Sequence, residues 1–313
     1  MGSENGRRAL TIKPFAKLER YTVNAFRRWQ CGGLRAIAAA AVAKLHAYLE
    51  TPEQNVVESN LLLSVWAVMR WIEQATLERT PLVSVILPTH NRSALLRRAI
   101  ESVCGQVYTN WEIVLVDDGS VDDTPIVVQQ LQQKLGENRL QAFRISPSGV
   151  SAARNYALGQ ARGEFITYLD DDNIMHSLWL KSVVWSFSQR PEVDVIYGGM
   201  ISEDMRHINS RGGSHFPSYF LCPFDRQHLV ESNLADMGQI AHRRGLPEAH
   251  FDESLRTMVD WDLLLRLASE KPPLVIPTIA CFYFTRAEDR LSANPPRLSD
   301  VARIREKARR LFG

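Results

Sequence analysis

Between residues 82 and 169 the chain repeats one pattern: a short run of aliphatic, β-branched residues, an amphipathic stretch, then another run. "LVSVIL" (82–87), "WEIVLVDD" (111–118), "LQAFRI" (140–145) and "EFITYL" (164–169) have the length and branching of buried strands. The segments between them predict helices at 93–106, 122–135 and 149–161. Asn91 or Ser93 would cap the first, and Pro125 stands in the first turn of the second. Strand and helix alternating in this way imply βαβ units, and such units pair their strands in parallel. The predicted fold is therefore α/β, with a mainly parallel central sheet flanked by helices. Beyond residue 176 the pattern loosens to a helix at 177–189, a strand at 193–199 and a late helix at 260–270.

The flanks differ in character. Leu34, Ile37, Ala38, Ala41, Val42, Leu45, Tyr48 and Leu49 recur at spacings of three and four, which draws one apolar helical stripe, and a further helix fits 55–78. The expected organisation is a helical N-terminal extension over 1–80, an α/β domain over 81–296 and a basic C-terminal helix over 297–313. Net charge is +2, but residues 1–45 carry nine Lys/Arg against two Glu, and 297–313 six against two acids. Basic ends on an acidic body suit either an anionic surface, such as phospholipid at the inner face of a membrane, or solvated helix faces. The N-terminal helices would pack on the α/β domain, self-associate into a homo-oligomer, or lie on a membrane. Nucleic acid is not an expected partner. The opening residues lack the apolar core of a signal peptide. The most apolar stretches, 36–43 and 61–72, fall short of a membrane span. Cys31, Cys104, Cys222 and Cys281 form no CxxC pair, which fits a cytoplasmic, reducing setting.

In an open parallel sheet, ligands bind beyond the carboxyl ends of the strands. Three of the four runs end there in polar clusters: "PTHNR" (88–92), "DDGS" (117–120) and "DDDN" (170–173). Asp170, Asp171 and Asp172 would raise one another's pKa if left unpaired. A divalent cation resolves the repulsion, since hard cations choose carboxylate oxygen and keep positions open for phosphate. With no Cys/His cluster to compete, Mg²⁺ or Mn²⁺ is the expected ion. The alternative is an acidic loop capping the next helix.

"VSVILPTHNR", "IVLVDDGSVDDT", "GVSAARNYALGQARGEFITYLDDDN" and "FDESLRTMVDWDLLLRL" together resemble glycosyltransferase family 2, over about residues 82–290. The resemblance implies a GT-A fold and an inverting transfer of sugar from a nucleotide-sugar donor, with a UDP-sugar favoured, to a glycan or glycolipid hydroxyl. It implies that Thr89, Asn91 and Arg92 line the nucleotide site. Asp118, with Asp117 beside it, would face the base, and Arg154 would pair with base or phosphate unless it only pairs with a nearby acid. Asp170 and Asp172 match the D-x-D motif, Asp172 holding the metal most directly and Asp171 lying near the ribose. Asp260 aligns with the catalytic base, with Asp262 as the alternative. Two departures stand out. Val259 replaces an acid common in relatives, and "FYFTRAEDRLS" (282–292) lacks their Tyr-Arg-x-His, leaving Arg286 or Arg290 for phosphate. His215, His228, His242 and His250 fall in the variable acceptor region, where a lone His is usually a packing residue. The rival readings are a non-catalytic binding or scaffold module and a sugar nucleotidyltransferase. The second is disfavoured because "PTHNRSALLRR" has no glycine to cradle a triphosphate.

Overall fold

The structure, a computed structural model, describes residues 54–202, 218–283 and 297–312. The 34–49 stripe, His215, Arg286 and Arg290 lie outside the described residues. Helix α1 (Gln54–Gln74) precedes β1 (Val83–Thr89), α2 (Ser93–Cys104), β2 (Trp111–Asp117), α3 (Thr124–Leu135), β3 (Leu140–Arg144), α4 (Val150–Gln160) and β4 (Phe165–Tyr168). Then follow β5 (Ile174–Met175), α5 (Trp179–Gln189), β6 (Val195–Ser202), β7 (Ser218–Phe220), α6 (Arg226–Glu231) and β8 (Ile240–Arg243). The last elements are α7 (Val259–Leu267), β9 (Leu274–Tyr283) and α8 (Leu298–Phe312). The sheet runs β3-β2-β1-β4-β8-β6-β9-β5, with β7 on β6.

β1 to β4, the part carried by the sequence alternation, are parallel throughout. β1 and β2 are buried at every position, because helices cover both faces and no side of these strands meets water. Beyond β4 the sheet is mixed: β8 runs antiparallel to both β4 and β6, whereas β9 runs parallel to β6. Neither β8 nor β9 is legible from the residue pattern. β8 has only four residues, and Pro277 interrupts the apolar run of β9. The proline is tolerated because the β6–β9 register shifts between Tyr197↔Val275 and Gly199↔Ile279, so Pro277 sits where no ladder donor is required.

Asn55–Gly313 form one compact unit. Within it α1 packs Val65 and Met69 on Leu178, Tyr219 and Ile279, and Trp71 meets Trp185 edge-on at 5.2 Å. No helix among the described residues is long and apolar enough to cross a membrane.

The edge of the sheet opposite the polar clusters is locked by Glu112. Its fully buried carboxylate accepts from Ser84 Oγ (2.6 Å), Gln141 Nε2 (2.8 Å), Arg162 N (2.8 Å) and Arg162 Nε (2.7 Å). Removing one member of a buried charged network strands the others. Glu112→Ala is expected to cost about 3 kcal/mol, the low end for such a loss because Arg162 reaches solvent. Urea unfolding should show that deficit, while nucleotide affinity of the folded protein stays at its wild-type value.

Candidate active site

Parallel register brings the polar clusters together. Thr89 pairs with Asp117 and Ile86 with Tyr168, so the chain leaving β4 passes beside the end of β1. Thr89 Oγ1 donates to Asp171 Oδ2 (2.7 Å). Arg92 Nη1 donates to Asp172 Oδ2 (2.6 Å) and Asp171 Oδ1 (3.2 Å). Arg98 Nη2 holds the Asp172 carbonyl (3.0 Å), and Arg154 Nη2 holds Asp170 Oδ1 (2.6 Å). The triplet does not cap α5, whose first turn has no side-chain cap. Arginines from two helices hold it instead.

Burial pushes the Asp171 carboxyl up to about 7, against the pull of Arg92 and the Thr89 hydrogen bond. Arg154 is only 4% exposed, lies over the Phe251 ring, and its Nε has no hydrogen-bond partner among the described residues. The surface ion pair that spacing alone suggested is thus a half-buried one, made by a buried arginine to the partly exposed Asp170.

The β2 cluster builds the neighbouring wall. Asp118 accepts from Ser148 N (2.7 Å) and Gly149 N (2.8 Å), tying its carboxylate to the loop that opens α4. Gly149 takes φ 97°, a conformation glycine adopts without steric cost. Asp117 accepts from Ser120 N (2.9 Å) with Arg144 3.6 Å away. Asn91, at φ 54°, accepts from Val121 N (2.7 Å), while its own N–H donates to Ser120 Oγ (2.8 Å). Its side chain therefore organises the 120–122 turn and stands at the margin of the cleft. It caps no helix: Arg92 precedes α2, and its side chain makes no cap bond there either.

Asp260 stands in the first turn of α7. Its Oδ1 accepts from Trp261 N (3.0 Å) and its Oδ2 from Asn233 Nδ2 (2.8 Å). Protein encloses the carboxyl although the residue keeps some surface. Burial raises its pKa, and the Arg154 charge works the other way. Asp236 is raised to about 8, by burial and then by the charges of Asp260 and Asp170. The Arg154 charge therefore acts on Asp260 and Asp236 as well as on Asp170, which it bonds directly. Asp262 faces away: it is 1% exposed, Lys307 holds Oδ1 (2.7 Å) and Arg266 holds Oδ2 (3.0 Å). Val259 is partly buried against the core. His242 is buried between Tyr168 OH (2.7 Å) and the Arg243 carbonyl, and burial lowers it to about 4; His228 and His250 are exposed.

Asn233 and Asp236 escaped the sequence reading. The weakly patterned 200–250 region offered one usable sign, the Asp236-x-x-Gln239 capping box, which the structure forms.

Among the described residues no three His/Cys/Asp/Glu side chains are grouped to hold a metal. Asp170 and Asp172 nevertheless suit a hard divalent cation, which commonly takes one or two carboxylates and completes its shell with phosphate and water. Such an ion would replace Arg92 on Asp172.

The model of glycosyl transferase family 2 matches residues 84–244. A glycosyl transferase provisionally assigned to colanic acid biosynthesis in Escherichia coli (strain K12), WcaA, is 28% identical over 229 residues, 71% of this chain and 80% of its own. Staphylococcus aureus TarS 1-349, solved with UDP-GlcNAc, superposes with a TM-score of 0.59 at 19% identity, over 73% of this chain and 66% of its own. GalNAc-T7, solved with UDP, GalNAc and Mn²⁺, gives 0.55 at 19%, over 73% and 48%. The chain thus spans two thirds or less of these solved structures, and at such identities they establish the GT-A fold alone. Because the family model extends over more than half of the sequence and takes in both the parallel strands and the acid triplet, the chain belongs to glycosyl transferase family 2.

Proposed function

We propose that the protein transfers a sugar from a UDP-sugar to a hydroxyl of a cell-surface polysaccharide or glycolipid, with inversion at the anomeric carbon. Arg154 carries this reading, because it bonds one acid of the triplet while its charge acts on the aspartate at the head of α7. One residue thereby joins the donor side to the acceptor side. Thr89, Asn91, Arg92, Asp117 and Asp118 form the nucleotide wall, with Asp118 accepting the N3–H of uracil on the lone pairs left by Ser148 and Gly149. Asp171 lies near the ribose. Asp170 and Asp172 would hold Mn²⁺ or Mg²⁺, which supplies positive charge against the departing diphosphate. The relatives support donor and ion class, being solved with UDP-GlcNAc and with UDP and Mn²⁺, and WcaA supports a polysaccharide setting.

Asp260 takes the proton of the acceptor hydroxyl. The freed oxygen attacks the anomeric carbon from the face opposite the nucleotide, and the bond from that carbon to the diphosphate oxygen breaks, releasing UDP. Asp262 does not suit the task, because both of its oxygens are held by cations.

Calorimetric titration of UDP with and without Mn²⁺, followed by hydrolysis assays on a panel of UDP-sugars, tests the proposal. Metal-dependent UDP binding and turnover of one sugar are the expected results. Tighter binding of GDP or dTDP would overturn the donor assignment, and binding without any donor turnover would favour the non-catalytic module.

A further inference from the structure

The C-terminal helix holds the segment that leads into Asp260. α8 buries Ile304 and Ala308 in the core, and from its first turn the buried Asp300 reaches the 256–257 backbone. One oxygen, Asp300 Oδ2, accepts from Arg256 N (3.0 Å), Thr257 N (3.0 Å) and Thr257 Oγ1 (3.1 Å). The next residue, Met258, sits in the left-handed region at φ 58°, ψ 32°, and α7 begins directly after it. A bulky residue there is strained and persists only when its surroundings fix it. Further along α8, Lys307 Nζ bridges Asp252 Oδ2 (2.6 Å) and Asp262 Oδ1 (2.7 Å), which binds the two ends of the same segment. Two of the tail's basic residues pair with this segment, Arg303 with Asp252 (4.0 Å) and Lys307 with Asp252 and Asp262, whereas Arg305 pairs with Glu231 and Arg310 with Glu306 of α8 itself. The first two tie the helix to the chain that leads into Asp260.

We propose that α8 is a positioning strap for the catalytic base, with Asp300 as the positioning residue that holds Met258 in its turn and so aims Asp260. The inference rests on Asp260 being the base. A misplacement of about 1 Å can cost roughly 100-fold in rate without loss of binding.

The test is turnover of the selected UDP-sugar by Asp300→Ala, Asp300→Asn and Thr257→Val, each with its UDP–Mn²⁺ stoichiometry measured by calorimetry. Asp300→Ala is expected to lose about 10- to 100-fold in kcat. Asp300→Asn keeps an acceptor oxygen and Thr257→Val removes one bond of three, so both should lose less. UDP should bind all three at full stoichiometry and unchanged Kd, whereas partial unfolding would lower stoichiometry in step with rate. Wild-type kcat in Asp300→Ala, or a loss of rate matched by lost stoichiometry in all three, overturns the strap. Asp260→Asn run alongside separates the two ideas. If it is inactive while Asp300→Ala is unimpaired, only the strap falls; if it is active, the base assignment falls and the strap with it.

Discussion

Asp260→Asn should lower kcat for transfer by about 100- to 10,000-fold, the range a general base contributes, and leave UDP affinity unchanged. The amide cannot accept the hydroxyl proton, yet it has the shape of the acid and can keep the hydrogen bond from Trp261 N. Among the described residues Asp260 makes no hydrogen bond to Thr89, Asn91, Arg92, Asp117 or Asp118, and Arg154 keeps its bond to Asp170 in the variant, so donor affinity should hold. The wild-type pH profile supplies an independent check. Asp260 works only when ionised, so kcat must fall as pH drops through its pKa. Because burial raises that pKa, the fall should begin above the ordinary carboxylate value of about 3.9. Asp262→Asn gives the contrast. It disturbs a carboxylate held by Lys307 and Arg266, so thermal stability should drop while the acid limb of the profile stays in place. Full activity in Asp260→Asn would remove the residue from the mechanism. A limb at or below the ordinary carboxylate value would show that a different group sets it.

Much of this site was visible in the sequence because local rules and the global fold agree there. The runs 82–87, 111–118 and 164–169 are strands whose length and branching leave little choice, and βαβ geometry alone places their polar ends on one edge. The acceptor half follows a different logic. Asn233 and Asp236 come from an irregular stretch, Asp236 capping the short 3-10 helix Met237–Gln239, whose position depends on β8 pairing antiparallel with β4 and β6. Antiparallel pairing across so long a stretch of chain leaves no periodic trace. Pro277 also disguised β9, because the bulge that accommodates it shows only in the pairing with β6, where β9 advances from Val275 to Ile279 while β6 advances from Tyr197 to Gly199. Asp300 was readable only as one acid in a basic helix. Its function depends on backbone N–H groups more than 40 residues away, which no spacing within α8 encodes.

Asp172→Ala should abolish the metal dependence of UDP binding. With Mn²⁺ present the variant is expected to bind UDP roughly 100-fold or more weakly than wild type, since even indirect supports of a metal ligand contribute 10- to 100-fold. The metal-free titration makes the result specific. In the structure Arg92 lies 2.6 Å from Asp172 Oδ2, so without an ion the arginine neutralises that acid. Removing the carboxylate takes away one of the two acids that Arg92 bonds and leaves the guanidinium, still held by Asp171, with less of its charge offset beside the expected diphosphate position, and arginine binds phosphate well. Metal-free UDP affinity should therefore hold or rise in Asp172→Ala while the gain from Mn²⁺ disappears. A purely structural acid would behave differently: its loss would lower affinity equally with and without metal and reduce thermal stability. The helix-cap version of that idea already lacks support, because α5 starts at Trp179 without a side-chain cap. If Mn²⁺ still tightens UDP binding in Asp172→Ala by the wild-type factor, the ion sits elsewhere, and the acid triplet serves to anchor Arg92 and Arg154.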